Sequence, residues 1–212
     1  MRVAIRTDAS IQIGTGHLMR CLTLADALSE QGAKVHVLCR DLEGFDPQAV
    51  TSRGHTLHVL AAVEQYDFEP TSEPPHAAWL GCSQQKDAAD SEAVLQTIGP
   101  LDWLVVDHYA LDARWEQLMR PYTRNVFAID DLADRPHDCD MLLDQNLLPQ
   151  MRTRYLGLVP EHCHTFLGPK YALLRPEFAR ERNNLSQRDG NVRRIFVFFG
   201  GGDPDNMTGK AV

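Results

Sequence analysis

The chain contains 212 residues, of which 43% are hydrophobic and 24% charged, and it has a formal net charge of -8 at pH 7. This composition is typical of a globular protein that buries a sizeable core, and the acidic balance argues against nucleic acid as the main partner. No apolar stretch approaches the roughly 18 residues that span a membrane, and the apolar run in "MRVAIRTD" is too short for a signal peptide, so we expect a cytoplasmic protein without a membrane partner.

Strands and helices alternate along the chain as far as Asn146. Short apolar runs predict six strands, at residues 2–8, 34–40, 55–61, 101–109, 125–131 and 140–146. Helical spacing of apolar residues predicts helices over residues 18–28, 46–54, 84–99 and 112–122. The run at 101–109 is the most apolar, which predicts a central strand that is covered on both faces. Repeated strand–helix units indicate an α/β protein with a parallel, Rossmann-like sheet.

Three segments depart from this alternation. Residues 62–83 lose all periodicity and contain three prolines, which predicts a loop that either covers a substrate or has no function. Residues 176–191 are polar and are typical of a linker. From residue 192, an apolar run, three glycines and a helix start predict a second Rossmann-like domain. We therefore expect an N-terminal domain at 1–175, a linker at 176–191 and the incomplete start of a C-terminal nucleotide-binding domain at 192–212.

The segment "IGTGHLMR" places two glycines and a histidine where the first helix begins. Met19 occupies the third small position of the dinucleotide fingerprint, so the loop does not fit NAD binding. Gly14 and Gly16 still allow a ligand to approach the backbone closely, and a helix N-terminus favours anions. The helix dipole is expected to lower the pKa of His17, which makes the neutral imidazole a usable base at pH 7. Arg20, one turn later, favours this function over the alternative of a histidine that only packs.

Acidic or polar residues follow three of the predicted strands. Asp8 follows the first strand, Asp107 and Tyr109 lie at the end of the fourth, and Asp130 and Asp131 follow the fifth. Ligands of open parallel sheets bind outside the carboxyl ends of the strands, which favours a ligand crevice here. Helix capping is the alternative explanation for such aspartates, and Asp131 receives no firm role.

Two further motifs concern metals and phosphates. Histidines and cysteines gather in "HDCD" and "EHCH", but their i, i+2 spacing does not fit a zinc site, so we expect no metal. The segment "FFGGGDPDN" places Gly200, Gly201 and Gly202 between an apolar run and a helix start, with Asn206 near that start. This pattern is typical of a loop that binds a diphosphate, because a plain tight turn needs only one glycine.

Five segments together resemble a known family. In chain order, "IRTDASIQIGTGHLMRCLTLADAL", "VVDHYALDARW", "IDDLADRPHDCDMLLDQN", "YALLRPEF" and "FFGGGDPDN" are similar to the UDP-sugar hydrolases of pseudaminic acid biosynthesis. That family is related to the MurG-like glycosyltransferases. The resemblance spans essentially the whole chain, although the loop at 62–83 has no counterpart in it. It implies a GT-B-like protein whose second domain holds most of the uridine contacts.

The resemblance also implies a reaction and roles for individual residues. A UDP-linked diacetamido-trideoxy sugar is hydrolysed to UDP and the free sugar by water attack at C1 with inversion, without a metal or other cofactor. His17 is implied as the general base, Tyr109 as a contact on the sugar side and Asn206 as a contact of the nucleotide. We therefore expect catalysis by His17 and substrate binding by Gly14, Gly16, Arg20, Asp107, Tyr109, Gly201, Gly202 and Asn206. The alternatives are a GT-B glycosyltransferase and a non-catalytic nucleotide-binding module.

Overall fold

A computed structural model describes residues 1–63, 74–185, 189–199, 203 and 206–212. These residues form two compact units, Met1–Leu173 and Leu174–Val212. None of the described helices is both long enough and apolar enough to cross a membrane.

The first unit is built on a parallel sheet, which has seven strands in the part of the chain that the structure describes. The strands are β1 (Arg2–Thr7), β2 (Lys34–Arg40), β3 (Thr56–Leu60), β4 (Leu101–Asp107), β5 (Thr123–Ile129), β6 (Met141–Asp144) and β7 (His164–Leu167). Their order is β3-β2-β1-β4-β5-β6-β7, with every neighbouring pair parallel. The predicted parallel α/β sheet is therefore confirmed, and β4 is its central strand.

Helices connect most of these strands. The described helices are α1 (Gly16–Glu30), α2 (Gln48–Thr51), α3 (Gln84–Ile98), α4 (Ala113–Met119), α5 (Pro176–Asn183) and α6 (Met207–Ala211). Short 3-10 helices occupy Ala77–Leu80, Arg120–Tyr122 and Pro169–Tyr171. Gly32, with a φ of +82°, follows the end of α1 in a backbone conformation that favours glycine. Ser83 caps α3 by accepting a hydrogen bond from the Lys86 amide at 3.1 Å.

Apolar side chains cover the sheet in two layers. One face packs against α1 through a cluster that includes Val3, Ile5, Leu18 and Leu22. The other face packs against α3 and α4 through a cluster that includes Leu95, Leu104, Trp115 and Val126. Burial of one such side chain contributes about 1.5–3 kcal/mol, so the two layers stabilise the packing of the helices on the sheet.

The strand order reverses between β1 and β4. The chain runs from β1 outward through β2 and β3, and then returns to place β4 on the opposite side of β1. In open α/β sheets the ligand crevice lies at such a switch point, outside the carboxyl ends of the strands. The loop from Asp8 to Thr15 and the end of β4 at Asp107 both lie at this position.

One strand is not predicted by the sequence pattern, and one predicted strand is absent from the described residues. The sequence pattern does not predict β7, because its four residues form an edge strand in which His164 and Thr165 are exposed. The strand predicted from residue 192 is wrong for the described residues, since residues 191–199 have no strand assignment. Phe196 is 87% exposed and Phe198 is 66% exposed. An apolar run becomes a strand only when a neighbouring strand accepts its backbone hydrogen bonds, and the described residues offer none here.

The loop predicted at 62–83 and the linker predicted at 176–191 are described in part. Of the predicted loop at 62–83, residues 64–73 lie outside the described residues, and its C-terminal part contains the 3-10 helix Ala77–Leu80. Helix α5 lies inside the predicted linker at 176–191. The division into an N-terminal domain, a linker and a C-terminal domain stays a prediction.

Candidate active site

The loop before α1 is a compact turn that presents His17 at the start of the helix. The Ser10 carbonyl accepts a hydrogen bond from the Gly14 amide at 2.8 Å, and the Ser10 hydroxyl accepts one from the Ile13 amide at 3.0 Å. Gly14 has a φ of +75°, which explains the glycine at that position. A Cβ atom on Gly14 or Gly16 would meet no atom within 4 Å. The space in front of this turn is therefore open.

His17 contacts a carboxylate at the end of the central strand. Its Nδ1 atom lies 2.6 Å from Asp107 Oδ1, and the His17 side chain is 9% exposed while that of Asp107 is fully buried. No hydrogen bond joins the His17 Nε2 atom to any residue that the structure describes. One ring nitrogen is thus fixed by protein, and the other is available to a ligand.

Arg20 binds the same carboxylate in a bidentate manner. Its Nε donates to Asp107 Oδ2 at 2.6 Å, and its Nη2 donates to Asp107 Oδ1 at 2.6 Å. The Cys21 thiol donates to Asp107 Oδ2 at 3.3 Å. Both oxygens of Asp107 are therefore occupied by side chains of α1.

The charge state of Asp107 follows from these partners. Burial by itself raises the pKa of Asp107, but the attraction of His17 and Arg20 outweighs it and holds the pKa well below its usual range. Arg20 Nη2 also lies 3.1 Å from His17 Nδ1, but the Asp107 carboxylate is closer, at 2.6 Å. Because an ionised carboxylate only accepts hydrogen bonds, the proton of a neutral His17 ring lies on Nδ1. The lone pair on Nε2 is then directed away from Asp107, as a general base requires.

Asp131 connects the remaining polar side chains of the site. Its carboxylate accepts a hydrogen bond from the Tyr109 hydroxyl, one from Arg20 Nη1 at 3.0 Å and one from Asn146 Nδ2 at 3.1 Å. Burial and this carboxylate raise the pKa of Tyr109, so its hydroxyl keeps its proton. Asp131 thereby links the ends of β4, β5 and β6 to α1.

An aromatic cluster lies beside His17. The Tyr109 ring meets the His17 ring edge to face, with 4.4 Å between the centroids and an interplanar angle of 84°. The rings of His76 and Trp79, next to and within the 3-10 helix Ala77–Leu80, lie 5.4 Å and 5.7 Å from the Tyr109 ring. The described end of the 62–83 segment therefore reaches the site.

The structure brings together part of the predicted set. The turn and cluster just described contain Gly14, Gly16, His17, Arg20, Asp107 and Tyr109. Asn206 belongs to the second unit, where it has a φ of +51° and its side chain accepts a hydrogen bond from the Gly209 amide at 3.2 Å. Gly201 and Gly202 lie outside the described residues. The roles assigned to these residues stay predictions.

The sequence did not predict three contributors to the site, which are His76, Trp79 and Asn146. It placed Asp131 directly after β5, at the carboxyl edge of the sheet, but without a firm role. No local sequence pattern indicates that His76 and Trp79 lie beside Tyr109.

The fold and the site define a class: an α/β protein whose switch point holds a histidine–aspartate pair. No protein-family model matches the chain. It is 28% identical over 209 residues to the UDP-2,4-diacetamido-2,4,6-trideoxy-β-L-altropyranose hydrolase of Campylobacter jejuni, a match that covers 98% of this chain and 63% of that protein. This similarity confirms the resemblance inferred from the sequence.

Two more distant similarities exist. An uncharacterized protein of Methanocaldococcus jannaschii is 22% identical over 215 residues, which cover all of this chain and 39% of that protein. The chain therefore spans less than two thirds of the length of either curated relative. A crystal structure of a UGT transferase from Siraitia grosvenorii in complex with UDP matches 61% of this chain and 27% of its own, at 14% identity and a TM-score of 0.40, which is too low to support an argument.

Proposed function

We propose that the protein is a UDP-sugar hydrolase that acts on a UDP-linked diacetamido-trideoxy sugar and releases UDP and the free sugar. The observation that carries the proposal is the 2.6 Å contact between His17 Nδ1 and the buried carboxylate of Asp107, with no described partner on His17 Nε2. The name of the Campylobacter jejuni relative supports the substrate class, and its similarity covers nearly the whole of this chain.

In the proposed reaction, His17 Nε2 removes a proton from water as the water oxygen forms a bond to C1 of the sugar. The bond between C1 and the phosphate oxygen breaks on the opposite face, and UDP leaves with the electron pair. The configuration at C1 is therefore inverted. UDP is a good leaving group, so the proposed chemistry needs neither a metal nor another cofactor.

Asp107 is a positioning residue in this mechanism. Its oxygens face His17, Arg20 and Cys21 rather than open space, so it acts on the substrate only through the histidine. It fixes the proton on Nδ1 and stabilises the imidazolium that forms when Nε2 accepts a proton, which is the role of the carboxylate in a catalytic triad. Arg20 shares the negative charge of Asp107 and connects it to Asp131.

Tyr109 contributes a wall on the sugar side, because its ring is packed against His17 and its hydroxyl is held by Asp131. Nucleotide contacts are proposed for Gly201, Gly202 and Asn206 in the second glycine loop. The division of labour between a sugar-binding N-terminal domain and a nucleotide-binding C-terminal domain is part of the same proposal.

The experiment is to incubate the full-length protein with the diacetamido UDP-sugar and follow UDP release and the anomer formed by NMR. His17→Ala is expected to lower kcat by about 10²–10⁴-fold, the usual contribution of a general base. His162→Ala is the matched control, because the His162 side chain is 62% exposed and its Nε2 atom lies 3.3 Å from Asp140 Oδ1, away from the site. Unchanged turnover in a folded His17→Ala protein would show that the histidine is structural, and transfer of the sugar to another acceptor would identify a glycosyltransferase.

A further inference from the structure

A cavity lies next to the aromatic cluster at the carboxyl edge of the sheet. Its volume is about 260 Å³. Its wall combines Ser10, Ile11 and Gln12 from the loop after β1, Leu42 from the loop after β2, and Ala78 and Trp79 from the 3-10 helix. Ligand sites for whole small molecules usually measure about 300–1,000 Å³, so this cavity fits a part of a ligand.

Trp79 connects the cavity to the candidate active site. It lines the cavity, and its ring also lies 4.5 Å from the His76 ring and 5.7 Å from the Tyr109 ring, which in turn packs against His17. The loop after β1 makes a second connection, since Ser10 lines the cavity and also closes the turn that leads to His17. The cavity and the candidate active site are therefore neighbours that share the Trp79 ring and the loop after β1.

The lining determines which substituent fits. Ile11, Leu42 and Trp79 supply apolar surface, and Ser10 and Gln12 supply polar groups beside it. The lining also includes Glu43 and, among the described residues, neither lysine nor arginine, which disfavours a phosphate. A neutral group with a methyl end and an amide matches this surface.

Contacts with the backbone hold this shape. The Ile11 amide donates a hydrogen bond to the Glu43 carbonyl at 2.8 Å, which joins the loops after β1 and β2. Gly44 has a φ of +87°, and a Cβ atom there would lie 2.8 Å from Ile11 Cγ1. The close packing of these two loops forms one side of the cavity, and the 3-10 helix forms the other.

We propose that this cavity is a specificity subsite that binds one acetamido group of the sugar. The proposal rests on the proposed function, because it assigns the subsite to the same bound sugar. The acetamido methyl group packs against Ile11, Leu42 and Trp79, while its amide faces Ser10 and Gln12. The described end of the 62–83 segment thus selects the substrate.

The test compares kcat/KM for the diacetamido UDP-sugar with kcat/KM for two analogues, in each of which one acetamido group is replaced by a hydroxyl. Ala78→Phe fills the cavity, and Ala93→Phe is the matched control because Ala93 is an exposed residue of α3. Ala78→Phe is expected to lower kcat/KM for the diacetamido sugar about tenfold or more, and to leave one analogue nearly unaffected. The wild-type protein is expected to prefer the diacetamido sugar over that analogue by a similar factor.

Equal losses on all three sugars, or no loss on any, would overturn the subsite. Failure of the wild-type protein to release UDP from any of them would instead overturn the proposed function. Saturation-transfer NMR with the free diacetamido sugar then tests the subsite without turnover: one acetamido methyl signal is expected to receive saturation from the wild-type and Ala93→Phe proteins, and to lose it with Ala78→Phe. Equal saturation with all three proteins would contradict the proposal.

Discussion

Two buried aspartates lie at the ends of neighbouring strands, and their surroundings differ in one respect. Asp8 follows β1 and binds Arg6 at 2.5 Å and 2.8 Å, while Asp107 ends β4 and binds Arg20 at 2.6 Å through both oxygens. Around Asp8 the side chains of Arg6, Asp87 and Arg40 are all fully buried. Around Asp107, Arg20 is 11% exposed and His17 is 9% exposed.

The comparison shows that pairing between an acid and an arginine does not by itself indicate function. The cluster of Arg6, Asp8, Arg40 and Asp87 is closed, and Trp115 adds a hydrogen bond to Asp87 at 3.0 Å. It can fix the strand ends, but no ligand reaches it. The cluster at Asp107 contains His17, whose Nε2 atom has no hydrogen bond to a residue that the structure describes, and the proposed chemistry is assigned to this cluster for that reason.

The first test removes the negative charge from the cluster of His17, Arg20 and Asp107. Asp107→Asn is expected to lower kcat by about 10²–10⁴-fold, because the asparagine amide can donate to His17 Nδ1 and leave the proton on Nε2. Steady-state kinetics between pH 5 and 9 check this, with circular dichroism as the control for folding. A purely structural role would lower Tm and leave both kcat and its pH profile at wild-type values.

The second test removes the negative charge of Asp87 from the fully buried cluster of Arg6, Asp8, Arg40 and Asp87. Asp87→Asn leaves Arg6 and Arg40 short of a counter-charge in a fully buried site, and removing one partner of a buried ion pair costs about 3–5 kcal/mol. Thermal unfolding is expected to show Tm lower by about 6–20 °C. Asp189→Asn is the control, since Asp189 and Arg193 form an exposed pair whose loss costs about 0–1 kcal/mol. A Tm change no larger than that of the control would contradict a stabilising role.

A third test uses His137, which, unlike His17, has a carboxylate near each of its two ring nitrogens. The Nδ1 atom of His137 lies 2.8 Å from Glu116, and its Nε2 atom lies 3.9 Å from Asp130. Burial lowers the pKa of His137, but the attraction of Glu116 and Asp130 outweighs it and raises the pKa to about 9. Since this folded-state pKa is above the unfolded value of about 6.5, the contribution of His137 to stability is complete below about pH 6.5 and is lost as the pH rises through about 9.

In the wild-type protein, the free energy of unfolding is therefore expected to fall by up to about 3 kcal/mol between pH 6.5 and pH 9.5. His137→Gln is expected to abolish this fall. Urea unfolding of the wild-type and variant proteins at these two pH values measures the difference. The same decline in both proteins would show that His137 is not the group responsible.

The sequence predicted the parts of the fold that depend on local patterns. Alternating apolar runs and helical spacing locate β1, α1 and β4, and the glycines before His17 mark the start of α1. His17 and Asp107 were found because each stands at the end of a regular element. The pairing of Asp107 with Arg20 was not predicted, because residues 87 positions apart meet only once the strand order is known.

The rest of the site depends on long-range packing. Trp79 lies in a segment without periodicity, and its approach to Tyr109 depends on the path of the chain from β3 to α3. Asp131 received no firm role because its partners lie on α1, after β4 and after β6. The apolar run at 192–199 was predicted as a strand from its local propensity alone. It does not form one, because a strand also needs a hydrogen-bonding neighbour.

The tripeptide from Asp107 to Tyr109 belongs to both clusters. Asp107 and Tyr109 face the open site, whereas the His108 side chain between them is buried and its Nε2 atom lies 3.2 Å from Asp8 Oδ2. A change that loosens the scaffold around Asp8 will thus shift the residues on either side of His108. Under the proposed function, attempts to alter the substrate range should begin in the loops that carry Ile11 and Trp79, where replacements leave that shared backbone in place.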